Sequence, residues 1–159
     1  MHLAIDSKLR ACNLMKQKVR DIFHGNQITA RAIVMQQRTG LPVHFEIAEP
    51  TRNSIYAWIE FAHLRSEDFL FPSRIHDSLQ LSTRQYARIV NARVEEIGLD
   101  SANYGTHTMR RTKATLIYKP TKNLRAIQLL LGHTKLDSTV RYLGIEVDDA
   151  LELAEQTEV

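Results

Sequence analysis

From Ala4 to Lys18 the apolar residues Ile5, Leu9, Cys12, Leu14 and Met15, continued by Val19, fall at mostly helical spacing, so the chain is expected to open on a helix. The period then changes. Val19-Arg20-Asp21-Ile22-Phe23 reads as a short strand and His24-Gly25-Asn26 as a turn. Thr29 to Gln37 is rich in β-branched and apolar residues, Pro42 to Ile47 alternates, and Thr39-Gly40 between them signals a hairpin. After Pro50 the helical period returns and holds. Thr51 to Leu64 puts Ile55, Trp58, Ile59 and Leu64 on one side, and Phe69-Leu70-Phe71-Pro72 is an apolar loop. Ser82 is placed to cap a helix that runs to Ile97 and closes at Gly98. Further helices are expected over Thr106–Tyr118 (stopped by Pro120), Asn123–Leu131 (closed by Gly132), Leu136–Leu143 and Val147–Ala154. The sum is an α+β domain, mainly α-helical, with a small antiparallel sheet of two or three strands near its N-terminus.

The chain has 159 residues, about the size of one domain. At 43% hydrophobic and 25% charged it carries enough apolar material for a core, which excludes wholesale disorder. It has no run of about 18 apolar residues to span a membrane. The N-terminal MHLAIDSKLRAC has neither the apolar stretch nor the cleavage site of a secretory signal. The single cysteine, Cys12, excludes an internal disulfide framework and a cysteine-rich zinc module, which fits a reducing cytoplasm.

The net charge of +3 matters less than its placement. Between Ser101 and Leu136 stand Arg110, Arg111, Lys113, Lys119, Lys122, Arg125 and Lys135 with no acidic residue. Such a block attracts polyanions, nucleic acid first among them, although a solvated helix face would look the same. From Glu146 to Val159 there are six acidic residues and no basic one, either a solubilising end or a helix that docks on a groove.

Four local features carry chemistry. His107-Thr108-Met109-Arg110 puts a histidine and an arginine on one helix face, and Leu131-Gly132-His133 puts a second histidine just past a helix end. Tyr142 follows in Thr139-Val140-Arg141-Tyr142, and Arg10 lies far upstream in Ser7-Lys8-Leu9-Arg10. Each has an ordinary structural explanation by itself. Tyr142 alone suits a half-buried core tyrosine and Arg10 a surface arginine. His133 suits a helix-end cap, and His107 a cap or a satisfied core histidine. A metal site on the two histidines lacks a third ligand at suitable spacing.

Taken in order, Arg10, the small sheet, His107-x-x-Arg110, Leu131-Gly132-His133 and Tyr142 resemble the signature of the tyrosine recombinases, the phage integrase family. The resemblance covers nearly the whole chain. It implies a catalytic domain that cuts and rejoins DNA through a 3′-phosphotyrosyl link. Tyr142 matches the nucleophile, Arg10 and Arg110 the two phosphate-clamping arginines, and His107 and His133 the proton-handling and phosphate-bonding positions. Lys8, Arg111, Lys113, Lys119, Lys122, Arg125, Lys135 and Arg141 are expected to face DNA. The chemistry needs no metal, nucleotide or other cofactor. The partners implied are double-stranded DNA and copies of the chain itself, assembled as a tetramer on DNA, with the segment beyond Tyr142 exchanged between protomers. Without DNA a monomer or weak dimer is expected, with that segment folded back on its own domain.

Two departures from the family pattern stand out. The family's hairpin lysine, which protonates the leaving 5′-oxygen, is replaced by Arg38 in Gln36-Gln37-Arg38-Thr39-Gly40. Arginine keeps the charge but gives up a proton poorly, so slow cleavage is expected unless Lys8 or Lys16 substitutes. The family's upstream DNA-clamping domain, and the first helices of the catalytic domain, have no counterpart in residues 1–159, so weak, micromolar DNA binding is expected. Two other readings stay open: a non-catalytic DNA-binding remnant, and an enzyme resembling type IB topoisomerases.

Overall fold

The computed structural model describes residues 1–74, 78–145 and 155. The expected helix over Val147–Ala154 lies outside the described residues. The first helical stretch is two helices, α1 (His2–Ser7) and α2 (Ala11–Met15). Lys8 between them is left-handed (φ 55°, ψ 21°), and Arg10 is extended before α2 begins. The break lets Leu3 and Ala4 on one helix and Leu14 and Met15 on the other all turn inward. It also presents the Lys8 carbonyl to Arg110, whose Nε donates to it.

Residues Val19–Asp21, expected as strand, form a 3-10 turn instead. The Asp21 carboxylate accepts the Lys18 N–H at 2.8 Å, a local bond that competes with strand pairing. Strands β1 (Phe23–His24) and β2 (Gln27–Ile28) then pair across Gly25-Asn26, both at positive φ (56° and 63°), as a two-residue primed turn requires. Strands β3 (Arg31–Met35) and β4 (Pro42–Glu46) form a second antiparallel pair, with Ala32 opposite Phe45 and Val34 opposite Val43. Ala32, Val43 and Phe45 are buried while Arg31, Ile33, His44 and Glu46 face out. The expected hairpin is present: residues 36–41 connect β3 and β4, with the Gln36 N–H donating to the Leu41 carbonyl at 3.0 Å and the Gly40 N–H to the Gln36 carbonyl at 2.8 Å.

Helix α3 (Glu49–Phe61) starts with Pro50 in its first turn, and Trp58 Nε1 donates to the Leu70 carbonyl at 2.8 Å. Helix α4 (Thr83–Glu96) is capped by Ser82, whose hydroxyl accepts the Gln85 N–H at 3.1 Å. Helix α5 (Thr106–Thr121) runs through Pro120 and ends only at left-handed Lys122. Proline is tolerated in this last turn because the carbonyl it leaves unpaired, that of Leu116, belongs to a residue 63% exposed to water. Helices α6 (Leu124–Leu131) and α7 (Leu136–Leu143) complete the described chain, each closed by a left-handed glycine, Gly132 and Gly144.

The core is in two parts. One gathers Leu3, Leu14, Met15, Ile22, Phe45, Ile59, Leu70 and Val90; the other gathers Ala114, Tyr118, Ile127, Leu131 and Leu143. Among the described residues no helix is long and apolar enough to cross a membrane.

Candidate active site

Arg110 lies on the inner face of α5 and is only 4% exposed. Its Nε donates to the Lys8 carbonyl and its Nη2 to the Leu131 carbonyl, the latter at 2.7 Å. Both anchors are main-chain oxygens at helix ends. They satisfy a buried guanidinium without an acidic partner, so its positive charge is left uncompensated. That charge faces Tyr142: the guanidinium carbon sits 5.4 Å from the ring centroid.

Tyr142 comes from α7, and the imidazole of His133 meets its ring edge-on, centroids 5.4 Å apart. His133 follows Gly132, whose left-handed conformation turns the chain out of α6. Its Nδ1 is 3.1 Å from Oγ1 of the buried Thr139, one turn before Tyr142 on the same helix. Burial, then Arg110 and Arg10, push the His133 imidazole down to about 4, so it is neutral near pH 7. Burial raises the Tyr142 phenol above its ordinary value, while Arg110, Arg111 and Arg10 pull the other way. The Tyr142 hydroxyl donates a long bond, 3.4 Å, to the His107 carbonyl.

Arg10 is half-buried, and its Nη1 donates to Gln36 Oε1 at 3.0 Å. Its charge is felt by Arg110, His133 and Tyr142 alike. Arg10, Arg110, His133 and Tyr142 therefore form one cluster. His107 reaches it through its carbonyl, its side chain lying exposed in the first turn of α5. Arg38 is exposed on the β3–β4 loop.

The residues expected to meet DNA divide. Arg111, Lys119, Arg125, Lys135 and Arg141 are exposed, and Lys122 is partly so, its ammonium 5.6 Å from the Tyr118 ring. Arg111 also donates to the Leu143 carbonyl at 3.0 Å, and Arg125 to Gln128 at 2.7 Å. Two of the set turn inward. Lys8 is 2% exposed, with Nζ on the Asp6 carbonyl at 2.6 Å, and burial lowers it to about 8. Lys113 pairs with the Asp6 carboxylate at 2.8 Å. Asp6 also accepts from Thr51 and the Ala48 N–H, and this set of donors holds its carboxyl below the usual range against the opposing effect of burial. Both ammonium groups are thus held by oxygens of Asp6.

Two polar residues at the site carried no sequence signal. Gln36 joins Arg10 to the Leu131 carbonyl, and Thr139 holds His133. Both act through bonds between residues that no local pattern links.

The fold and this cluster define a class: a mainly helical domain with a phenol flanked by guanidiniums and a neutral imidazole. The chain belongs to the phage integrase family, whose pattern matches residues 1–147. It is 27% identical over 144 residues to the probable integrase/recombinase YoeC of Bacillus subtilis (strain 168), a match covering 91% of this chain and 75% of that protein. It is 28% identical over 163 aligned positions to the tyrosine recombinase XerC of Psychromonas ingrahamii, covering 98% of this chain and 51% of that protein. Among solved structures, XerA recombinase superposes with a TM-score of 0.76 at 18% identity, over 98% of this chain and 55% of that one. XerH bound to its difH substrate superposes with a TM-score of 0.73 at 19% identity, over 96% and 43%. The fold is that of these recombinases, and the chain spans about half the length of the XerC relative and of the solved structures.

Proposed function

We propose that this chain cleaves and rejoins DNA strands by transesterification at Tyr142. The phenolic oxygen attacks the scissile phosphorus and forms a 3′-phosphotyrosyl bond as the bond to the 5′-oxygen breaks. That oxygen leaves as a hydroxyl once protonated, and its return attack restores a phosphodiester. The phosphoryl bond is exchanged, not hydrolysed, so no nucleotide is consumed.

A single observation carries the reading: the Tyr142 ring lies against both the Arg110 guanidinium and the His133 imidazole, at 5.4 Å from each. Phenols ionise near pH 10, so attack at neutral pH needs nearby positive charge and a proton acceptor. Arg10 and Arg110 supply fixed donors for the charge that builds on the phosphoryl oxygens. The acceptor proposed for the phenolic proton is neutral His133, whose ring meets that of Tyr142 edge-on at 5.4 Å. Burial, then the two guanidiniums, depress its basicity, and an arriving phosphodiester anion offsets the guanidinium part.

The partner proposed is double-stranded DNA in the cytoplasm, held through the exposed Arg111, Lys119, Lys122, Arg125, Lys135 and Arg141, with copies of the chain assembling on it. A second reading, a slow or non-catalytic DNA-binding relative, is favoured by Arg38, because a guanidinium holds its proton too tightly to protonate a leaving oxygen well. A nicked suicide substrate separates the two. The expected result is a protein–DNA adduct that disappears in Tyr142→Phe; an adduct absent from the wild-type chain assigns the second reading.

A further inference from the structure

Gln36 is a neutral residue at the end of β3, yet it is 1% exposed and every polar atom of its side chain is bonded. Oε1 accepts from Arg10 Nη1 at 3.0 Å and from Thr39 Oγ1 at 3.2 Å. Nε2 donates to the Leu131 carbonyl at 3.1 Å, the same oxygen that accepts Arg110 Nη2 at 2.7 Å. One amide and one carbonyl thus join two guanidiniums that stand far apart in sequence. The Gln36 backbone also closes the loop that carries Arg38, donating to the Leu41 carbonyl at 3.0 Å and accepting the Gly40 N–H at 2.8 Å. The amide fits because residue 132 is glycine: a Cβ there would lie 2.6 Å from Nε2.

The geometry points to Gln36 as a positioning residue that fixes the Arg10 guanidinium toward the scissile phosphate and makes that orientation depend on the β3–β4 loop. The inference rests on the proposed strand cleavage at Tyr142. The physical need is clear. Arg10 is half-buried beside the like charge of Arg110, and a long side chain in that field tends to swing toward water. An amide oxygen holds one of its five N–H groups and leaves the others for phosphate. It does so without a charge of its own. A carboxylate in its place would neutralise Arg10, the charge a phosphodiester has to find. A donor already oriented needs no reorganisation when the transition state forms.

The experiment measures covalent trapping on two suicide substrates, one with an ordinary scissile phosphodiester and one with a methylphosphonate there. The methylphosphonate lacks the negative charge that Arg10 is placed to meet. The chains compared are wild type, Arg10→Ala, Gln36→Met and Gln36→Glu, each with its melting temperature. Gln36→Met keeps the packing and removes the hydrogen bonds; Gln36→Glu keeps the shape and adds the charge, and serves if the methionine variant fails to fold. Both are expected to slow phosphodiester trapping about 10-fold or more. Both are expected to slow methylphosphonate trapping less than about 3-fold, the same selective pattern as Arg10→Ala. Equal losses on both substrates, or no loss on either, would overturn the role of Gln36 while leaving the strand-cleavage reading intact. No trapping of either substrate by the wild-type chain would overturn that reading and this inference with it.

Discussion

The guanidinium of Arg110 lies over the ring of Tyr142 at 5.4 Å, tied from behind to the carbonyls of Lys8 and Leu131. Two segments distant in sequence thus hold one cation against one phenol. The fork shape of the guanidinium matters as much as its charge, because Nε and Nη2 reach different carbonyls. Arg110→Lys keeps the charge and loses the fork. Its expected effect is a fall of about 10²-fold or more in the rate of covalent trapping. Equilibrium DNA affinity should change much less. Single-turnover trapping beside a band shift at fixed salt checks both.

Arg38 stands where the family pattern expects a proton donor, and it is exposed on the β3–β4 loop. Arg38→Lys is expected to raise the cleavage rate about 10²-fold, the lower end of what general-acid catalysis supplies. A substrate with sulfur at the 5′-bridging position needs no protonation on leaving. It should speed the wild-type chain strongly and the lysine variant little. A wild-type rate unchanged by sulfur would show that proton donation is not the slow step. The inward placement of Lys8 leaves it a poor substitute, so Lys8→Met should not abolish what activity there is.

His133 is depressed to about 4 in the folded chain, from an ordinary value near 6.5. Between these values the unfolded chain binds more protons than the folded one, so stability rises with pH across that window and is lost as pH falls from 6.5 toward 4. The slope it contributes is at most about 1.4 kcal/mol per pH unit. Urea unfolding at intervals of pH should show this slope in the wild type and a shallower one in His133→Gln.

Gly132 combines a left-handed backbone (φ 63°) with a tight surround: a Cβ there would meet Val43 Cγ2 and Gln36 Nε2 at 2.4 and 2.6 Å. Gly132→Ala adds backbone strain to overpacking and should cost about 2–5 kcal/mol of stability. It should also displace His133, so trapping falls by more than the folded fraction does. Gly98→Ala, also at positive φ (77°) but with open space around it, is the control and should cost only about 1–2 kcal/mol.

Charge at the surface is tested by salt. Lys119→Ala and Lys122→Ala should each lower the slope of log affinity against log salt by about one if each meets a phosphate. Lys113→Met should leave that slope unchanged, because its ammonium is held by Asp6. Its effect should appear instead as a loss of thermal stability.

The helices from α3 onward were legible because apolar spacing and local punctuation agree there: Ser82 caps α4, and Gly132 and Gly144 close α6 and α7. Arg10, His107, Arg110, His133 and Tyr142 stood out only as an ordered set resembling a known family, since each alone has an ordinary explanation. What the pattern hid depends on contacts across the chain. The single helix expected over 4–18 is broken at Lys8, a residue with no intrinsic preference for a left-handed backbone, where the Lys8 carbonyl meets Arg110. Lys8 and Lys113 count as basic residues in a tally of charge, but Asp6 claims one and buried backbone the other. Pro120 reads as a stop, yet sits in a last turn open to water. Gln36 and Thr139 are ordinary polar residues until Arg10, Leu131 and His133 are brought beside them.

The hydrophobic interior is divided, and the site straddles the division. Tyr142 packs with the cluster formed by Ala114, Ile127 and Leu131, while Leu9 and Ala11, on either side of Arg10, pack with the cluster of Leu14 and Phe45. Arg110 and Gln36 bridge the two: Arg110 donates to the Lys8 and Leu131 carbonyls, and Gln36 bonds Arg10 and the same Leu131 carbonyl. The register of the Tyr142 phenol against the Arg10 guanidinium is therefore set by a few hydrogen bonds at the seam rather than by apolar packing.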